Sequence, residues 1–254
     1  MEMIQGVVVS VGFDDMLALT LDQHRGNFDK VLVVTTPEDA ATQNVAAAYS
    51  CDVHITSAFY TDGATFNKGA ALWDAIAAAE PLRCWMVVFD SDIIMPTILD
   101  QWVSKYAKVG TLYVPHRIMV PVDKVDDLLS ERVALSCFKV NGELEYAGYC
   151  QIFHTDDTHL SIPWYCLNWR HAGGYDSEFA LRWPKTLRVR PPWQVIHIGD
   201  AGINWHGRTS VRLDGAMPTT PGCPLTSGAH RQKAQENMFS RREEYPGEYH
   251  KEKL

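Results

Sequence analysis

The sequence has no Cys-x-x-Cys pair, although its 254 residues include six cysteines. Single, widely spaced cysteines disfavour a zinc cluster or a dithiol redox centre and indicate reduced thiols. The sequence also lacks an apolar stretch long enough to span a bilayer. Its first residues show neither a basic segment nor a signal-peptide cleavage site, so we predict a cytoplasmic protein without membrane insertion.

Acidic residues outnumber basic ones, since the sequence has 31 Asp and Glu but 23 Lys and Arg, and the formal net charge is -8. This balance disfavours charge-driven binding to nucleic acid or to anionic membranes. Internal repeats and low-complexity segments are also lacking. A hydrophobic content of 46% with 21% charged residues is typical of a globular protein, and we predict one domain over 1–254.

The first hundred residues alternate between strand-like and helix-like segments. We predict strands at 7–11, 30–35, 51–56 and 85–89, and helices at 14–25, from Pro37 onward, and at 66–80. Such alternation is typical of βαβ units with right-handed crossovers and a mostly parallel sheet flanked by helices. Ligands of these sheets bind beyond the carboxyl ends of the strands.

From about residue 111 the pattern changes to short strands separated by turn residues. The segments 111–122, 134–154 and 187–199 are the candidate strands of this mixed second half. Five tryptophans also concentrate here, at positions 164, 169, 183, 193 and 205. Aromatic residues at this density are typical of a substrate pocket and equally of a core. Residues 229–254 are highly charged and predict a surface helix and tail.

Two carboxylates follow the fourth predicted strand in the segment VVFDSDII, which contains Asp90-Ser91-Asp92. Unpaired carboxylates are costly to bury, so we expect them at the open end of the strand or beside a cation. Alternate carboxylates can share a hard divalent cation, which prefers oxygen ligands. A cation held there can bind a diphosphate and neutralise the charge that develops when the diphosphate leaves.

Several segments together resemble the GT-A fold glycosyltransferases, in particular family 2 and its relatives. They are VVVSVG, KVLVVTTPED, FNKGAALWDAI, VVFDSDIIMP, HAGGYDSEF and VIHIGDAGINWHGR, and they extend over about residues 4–210. The resemblance implies hexosyl-type transfer from a nucleoside diphosphate sugar, with a UDP-sugar first among donors, assisted by Mn²⁺ or Mg²⁺. It also implies a nucleotide-sugar half over about 1–110, an acceptor half over about 111–210 and a surface segment over 211–254.

The resemblance also implies roles for individual residues. Asp92 is expected to bind the metal directly and Asp90 to contact the ribose, or the metal through water, with His197 as third ligand and His206 as its alternative. The remaining residues expected at the donor are Ser10, Val11, Thr35, Thr36, Asn67, Lys68 and Ser91. Lys68 opens a helix, where a helix N-terminus and a cation together favour an anion.

On the acceptor side, Gly148 is expected to allow close backbone approach to a sugar, next to Tyr149 and Gln151 as acceptor-binding residues. Gly173 and Gly174 lie in the segment that resembles the acceptor-side motif of the family. Inverting members carry a Glu-Asp pair shortly after this motif, and this sequence lacks it. Asp176 and Glu178 are the nearest candidate catalytic bases, and the stereochemistry stays open.

Alternative functions are a nucleotidyltransferase and a non-catalytic nucleotide-sugar-binding module. A nucleotidyltransferase should carry a glycine-rich loop that ends in a basic residue, and the segment SVGFDDMLAL lacks such a loop. The missing Glu-Asp pair favours the non-catalytic module. The acceptor is a glycan or another hydroxyl compound, with a hydroxymethylated DNA base as a minority option. A basic face for DNA would draw on Arg208, Arg212, His230, Arg231, Lys233, Arg241 and Arg242. Arg117 would reach a phosphate or pair with a nearby acid.

Overall fold

The computed structural model describes residues 2–24, 26–80, 83–141, 148–199 and 203–222. In chain order the elements are β1 (Ile4–Val9), α1 (Asp14–Gln23), β2 (Lys30–Thr35), α2 (Ala40–Ala48), β3 (Asp52–Ile55), α3 (Lys68–Ala79), β4 (Trp85–Asp90), β5 (Ile93–Ile94), α4 (Leu99–Tyr106), β6 (Leu112–Tyr113), β7 (His116–Val120), α5 (Val125–Leu129), β8 (Lys139–Asn141), β9 (Cys150–His154), α6 (Tyr175–Ala180), β10 (Arg188–Val189) and β11 (Gln194–Ile198). The predicted alternation in the first half is confirmed, with boundaries that shift by a few residues.

A seven-stranded sheet forms the centre, in the order β10-β6-β9-β4-β1-β2-β3. The strands β3, β2, β1 and β4 are parallel neighbours, while β9 runs antiparallel to both β4 and β6. Every residue of β1 is buried, and so are the first five of β4, as expected for strands covered on both faces. This arrangement confirms the expected α/β fold class, with a mostly parallel sheet flanked by helices.

A second, mixed sheet of four strands has the order β5-β11-β7-β8. Here β11 is antiparallel to β5 and parallel to β7. Since β5 follows the two aspartates directly, pairing with β11 brings the C-terminal part of the described chain to the end of β4. This pairing positions residues of the two halves at one edge.

The start of α2 corrects one prediction. Pro37 and Glu38 lie before the helix, which begins at Ala40 with Asp39 as its N-cap. The Asp39 carboxylate accepts a hydrogen bond from the Thr42 amide at 3.2 Å, so it satisfies one of the amides that a helix start leaves unpaired. Because the cap uses Asp39, the helix begins three residues after the proline.

One hydrophobic cluster contains residues of both halves, from Val7 and Val88 in the parallel strands to Phe153, Phe179 and Trp183. Trp183 is completely buried, so this tryptophan belongs to the core rather than to a substrate pocket. The shared cluster supports the proposal of a single domain.

The five cysteines of the described part of the chain are free, and no helix in that part is both long and apolar enough to cross a membrane.

Two arginines after β11 are paired with acids at the start of α1. Arg208 is buried and its guanidinium binds the carboxylate of Asp15 as well as the carbonyl oxygen of Gly12 at 2.8 Å. Arg212 binds Asp14 through two hydrogen bonds of 2.6 and 2.8 Å. The expectation that Arg208 and Arg212 contribute to a basic face is therefore wrong, because each is neutralised within the protein. The other five members, like the predicted C-terminal helix, lie outside the described residues.

Arg208→Ala is expected to lower the free energy of unfolding by about 3–5 kcal/mol, because it leaves the half-buried Asp15 without its cation. Urea denaturation of the full chain measures this. Arg212→Ala is the matched control, and since its pair is more exposed, we expect a loss of only about 1 kcal/mol. Equal losses in the two variants would contradict the importance assigned to the buried pair.

The same pair predicts an acid dependence of stability. Burial alone would raise the pKa of Asp15, but hydrogen bonds from Arg208 and the Leu213 amide outweigh it and hold the pKa below the ordinary 3.8. The stabilisation is therefore complete above pH 3.8 and is lost as the pH falls through the lowered pKa. The Arg208→Ala variant should lose less stability than the parent protein over this range.

Candidate active site at the end of strand β4

The two aspartates leave the central sheet at the carboxyl end of β4, where Val9 of β1 pairs with Asp90. The carbonyl oxygen of Asp92 accepts a hydrogen bond of 2.9 Å from the Ile198 amide, which fixes β11 beside the turn. Ser91, expected at the donor, instead donates its hydroxyl to the Val9 carbonyl oxygen at 3.0 Å and is buried. Its side chain is thus used to anchor the turn rather than offered to a ligand.

His197 faces Asp92 across the junction of the two sheets. Its Nε2 atom lies 3.9 Å from an Asp92 carboxylate oxygen, and both residues are buried. Asp92 Oδ1 and His197 Nδ1 are buried and have no hydrogen-bond partner among the described residues. An unpaired buried carboxylate oxygen is costly, so Asp92 Oδ1 points to a ligand at this edge, whereas the unpaired Nδ1 of His197 is not the ring nitrogen that lies near Asp92.

Burial raises the pKa of Asp92, and the carboxylate of Asp90 adds to this effect, while His197 and Lys68 act in the opposite direction. Burial thus outweighs the nearby charges of His197 and Lys68 at this carboxylate. A divalent cation bound to Asp92 would favour its ionised form.

Lys68 supplies the nearest cation, as the first residue of α3, and its ammonium group forms an ion pair with the Asp90 carboxylate. Asn67 caps the same helix: its side chain accepts from the Ala70 amide at 3.0 Å and donates to the Leu167 carbonyl oxygen at 2.6 Å. Both predicted donor residues thus lie at the helix start, but the Asn67 side chain serves the fold, and only Lys68 is directed at the aspartates.

Asp176 lies near Asp90 and Lys68, whose charges both influence the pKa of its carboxyl group. Burial dominates and raises this pKa, although the amides of Gly148 and Ser177 donate hydrogen bonds to the carboxylate. A Cβ atom on Gly148 would lie 2.3 Å from the Cβ of Asp176. Gly148 therefore allows close approach of Asp176, which corrects the expectation that it makes room for a sugar.

Glu178, the other candidate base, is exposed, and its carboxylate accepts a hydrogen bond of 2.9 Å from the Trp169 indole. Gly174 precedes α6 with φ of +104°, a conformation that favours glycine, and Gly173 is buried next to it. The two glycines therefore shape the turn that brings Asp176, rather than Glu178, to the aspartates.

Gln151, predicted to bind the acceptor, makes its hydrogen bonds within the fold. Its side chain is completely buried in β9, where it donates to the Asp176 carbonyl oxygen at 3.0 Å and accepts from the Tyr165 hydroxyl. Tyr149 is also buried and donates its hydroxyl to the Pro115 carbonyl oxygen, so its ring rather than its hydroxyl lines the site.

The predicted nucleoside-binding residues gather at the ends of β1 and β2. Ser10, Val11, Thr35 and Thr36 are all buried there. Asp39, which was not among the predicted site residues, connects the two strand ends, since its carboxylate accepts from the Gly12 amide at 2.7 Å and from the Thr35 hydroxyl at 3.3 Å. The sequence feature that could have indicated this role is the position of Asp39 one turn after β2. The Ser10 hydroxyl oxygen is buried without a partner among the described residues.

The segment 219–221 lies across these strand ends, which the sequence did not predict. The Pro221 carbonyl oxygen accepts hydrogen bonds from the hydroxyls of Thr36 at 3.4 Å and Tyr60 at 3.0 Å. A Cβ atom on Gly12 would lie 2.1 Å from the carbonyl oxygen of Thr219. The described end of the chain thus borders the expected nucleoside site.

Gly12→Ala is expected to be more destabilising than Gly63→Ala, although both glycines have φ near +70°. At Gly63 no other atom lies within 4 Å of the added methyl group, so only the backbone strain of about 1–2 kcal/mol applies. At Gly12 the methyl group also collides with Thr219, which adds about 1–3 kcal/mol. Thermal denaturation of the two variants checks the difference, and equal losses would contradict the placement of 219–221.

His206, the alternative metal ligand, is buried away from Asp92, although it belongs to the same acceptor half of the chain as His197. Its Nδ1 atom lies 2.7 Å from the Thr65 hydroxyl, and its ring contacts that of His171 at a centroid distance of 5.2 Å. In the described part of the chain, no three His, Cys, Asp or Glu side chains form a group that could by itself hold a metal. The four predicted ligands therefore separate into Asp90, Asp92 and His197 at the end of β4, and His206 beside Thr65.

No protein-family model matches the chain, and no curated protein matches it either. Among solved structures it is similar to glucosyl-3-phosphoglycerate synthase from Mycobacterium tuberculosis. The complex of that synthase with Mn²⁺, UDP and glucosyl-3-phosphoglycerate has 17% identity and a TM-score of 0.47, over 94% of this chain and 80% of that chain. The complex with UDP has 18% identity and a TM-score of 0.49, over 79% of this chain and 72% of that chain. At such values neither the activity nor the ligands of the synthase transfer to this chain.

Proposed function

We propose that the protein transfers a sugar from a nucleoside diphosphate sugar, with a UDP-sugar first among donors, to a hydroxyl group of an acceptor. The observation that carries this proposal is the buried, unpaired carboxylate oxygen of Asp92 at the carboxyl end of β4, with His197 Nε2 3.9 Å from the other oxygen of the same carboxylate. Ligands of such sheets bind at this edge. The cation Lys68 and the carboxylate Asp176 approach the same place from α3 and α6.

The residues fit a divalent cation. Asp92 and His197 offer one carboxylate and one imidazole, and Asp90 offers a second carboxylate on the other side of the turn. Mg²⁺ and related ions in nucleotide sites are held by one or two carboxylates and complete their coordination with water and substrate phosphates. Imidazole is also a suitable ligand for Mn²⁺, less so for Mg²⁺. When bound, the cation would supply charge neutralisation to the leaving diphosphate.

The chain's own residues perform the other tasks. Lys68 holds Asp90 in place and adds a positive charge at the helix start, where a phosphate is also favoured by the backbone amides. The strand ends around Ser10 and Thr36, bordered by 219–221, are the proposed nucleoside site.

Asp176 is the proposed catalytic carboxylate. Its raised pKa makes it a stronger base than an ordinary aspartate, and the Gly148 and Ser177 amides hold it in a fixed orientation. Glu178 is retained as the weaker candidate, because its carboxylate is exposed and bonded to Trp169.

A non-catalytic nucleotide-sugar-binding module is the second candidate. It is favoured by the anchoring of Asp176 through two backbone hydrogen bonds, which leaves less of its carboxylate for an acceptor hydroxyl. A DNA acceptor has lost support, because the buried Arg208 and the paired Arg212 are not available to a phosphate backbone. Glycans and other hydroxyl compounds remain as proposed acceptors.

Release of nucleoside diphosphate distinguishes these candidates. The full chain is incubated with UDP-, GDP- and TDP-sugars, with Mn²⁺, with Mg²⁺ or with excess EDTA, and the free diphosphate is measured. UDP-glucose, which a similar solved structure contains, is the first donor to test. We expect metal-dependent release from at least one donor. Full release in EDTA would contradict the metal site, and binding without release would favour the non-catalytic module.

A further inference from the structure

Arg117 on β7 is a buried cation that the proposed chemistry does not use. The residue is 5% exposed, and its guanidinium carbon lies 4.5 Å from the centre of the Tyr149 ring. Its Nη2 atom is buried and has no hydrogen-bond partner among the described residues. The ion pairs found within the described part of the chain leave Arg117 without a carboxylate partner.

Such an arginine is costly for the fold unless an anion joins it. A buried guanidinium loses its hydration, and stacking on an aromatic ring replaces only part of this loss. Burial lowers the pKa of Arg117, while the ionisable groups of Tyr149, Asp90, Asp92 and Asp176 act in the opposite direction. These carboxylates are thus near enough to interact with Arg117, but none of them forms an ion pair with it.

The surroundings of Arg117 place it on the acceptor side of the aspartates. It pairs in the second sheet with Val195 of β11, two residues before His197. The Tyr149 carbonyl oxygen accepts a hydrogen bond of 3.1 Å from the Asp90 amide, so the ring below Arg117 is fixed next to the turn. Lys68, in contrast, approaches Asp90 from the nucleotide half. The two cations therefore reach the aspartates from different halves of the chain.

We propose that Arg117 binds an anionic group, a phosphate or a carboxylate, of the acceptor substrate. The planar guanidinium presents paired donors that match either group, and stacking on Tyr149 fixes its plane. Arg190 supports this geometry, because its Nη1 atom lies 3.3 Å from the Pro115 carbonyl oxygen that also accepts from the Tyr149 hydroxyl. The acceptor role of Arg117 rests on the proposed function, whereas the anion site itself does not.

Titration calorimetry of the metal-free full chain with inorganic phosphate, and separately with acetate, at constant ionic strength tests the anion site. We expect at least one of the two anions to bind, and the tighter one indicates the class of group. Arg117→Gln should weaken that binding at least tenfold, Arg117→Lys should weaken it less, and Arg132→Gln, which removes an exposed arginine, should stay within twofold. Binding by neither anion, or equal binding by the parent protein and Arg117→Gln, would overturn the proposal.

Two further measurements separate the proposal from its alternatives. UDP affinity in the presence of Mn²⁺ should stay within twofold in Arg117→Gln, and a tenfold loss would assign Arg117 to the donor and overturn the acceptor role. If the parent protein binds no UDP, the proposed function fails, while the phosphate and acetate titrations still decide on the anion site.

Without anions, Arg117→Gln should melt no lower than the parent protein. If this variant unfolds instead, Arg117 stabilises the fold, and the Arg117→Lys titration alone decides whether it also binds anions.

Discussion

Asp92→Asn is expected to lower metal-dependent turnover of the donor by at least about 100-fold. Loss of a residue that only supports a metal ligand typically costs about 10–100-fold, so loss of a direct ligand should cost at least as much. The variant should fold as well as the parent protein in the absence of metal. The reason is that the amide has the shape of the carboxylate but removes a buried charge whose pKa is raised by burial. Steady-state assays with Mn²⁺, together with thermal denaturation, check both expectations.

Asp90→Asn is the matched control for this prediction. Asp90 is more exposed and already pairs with Lys68, so we expect a smaller loss of activity than at Asp92. Near-normal turnover of Asp92→Asn with metal present would contradict its assignment as a direct ligand. A larger loss at Asp90 than at Asp92 would move that role to Asp90.

The sequence predicted the central sheet well, because its strands are continuous apolar runs between helices. It predicted Asp90 and Asp92 at the carboxyl end of β4 for the same reason, since the end of a buried strand is one of the few places where two acids are tolerated. The pairing of β5 with β11 was not predictable, because β5 has only two residues and the contact spans about a hundred residues of chain. That pairing decides which histidine meets Asp92.

Several residues predicted at the site make their contacts within the fold, for one physical reason. Gln151 and Ser91 are polar residues at positions typical of ligand contacts, but the fold uses their hydrogen bonds internally. Likewise, Gly148 signalled a close approach without showing that the approaching group is Asp176. Local sequence shows that a group must be satisfied, whereas only the tertiary structure shows which partner satisfies it.

His197→Ala is expected to weaken Mn²⁺ affinity at least about tenfold and to narrow the preference for Mn²⁺ over Mg²⁺. Imidazole is a better ligand for Mn²⁺ than for Mg²⁺, which prefers oxygen, so loss of His197 should affect Mn²⁺ more. The structure shows His197 to be buried, and the variant will therefore also lose some packing stability. Titration of both metals into the variant and the parent protein, with UDP present, measures the change.

His206→Ala is the control for His197→Ala, because both histidines are buried to a similar degree. Both variants should lose stability without metal, but only His197→Ala should lose Mn²⁺ affinity. If His197→Ala is destabilised while its Mn²⁺ affinity is intact, His197 is a core residue and not a ligand. If the affinity loss occurs only in His206→Ala, the ligand is His206.

Calorimetric titration of UDP into the full chain, with Mn²⁺ and then with excess EDTA, tests the proposed nucleotide site most directly. The unpaired oxygen of Asp92, the nearby His197 and the two carboxylates at the end of β4 predict that the diphosphate binds only together with a cation. We therefore expect one UDP site per chain with Mn²⁺ and at least about 100-fold weaker binding in EDTA. Equal binding under both conditions, or no binding with Mn²⁺, would contradict the account.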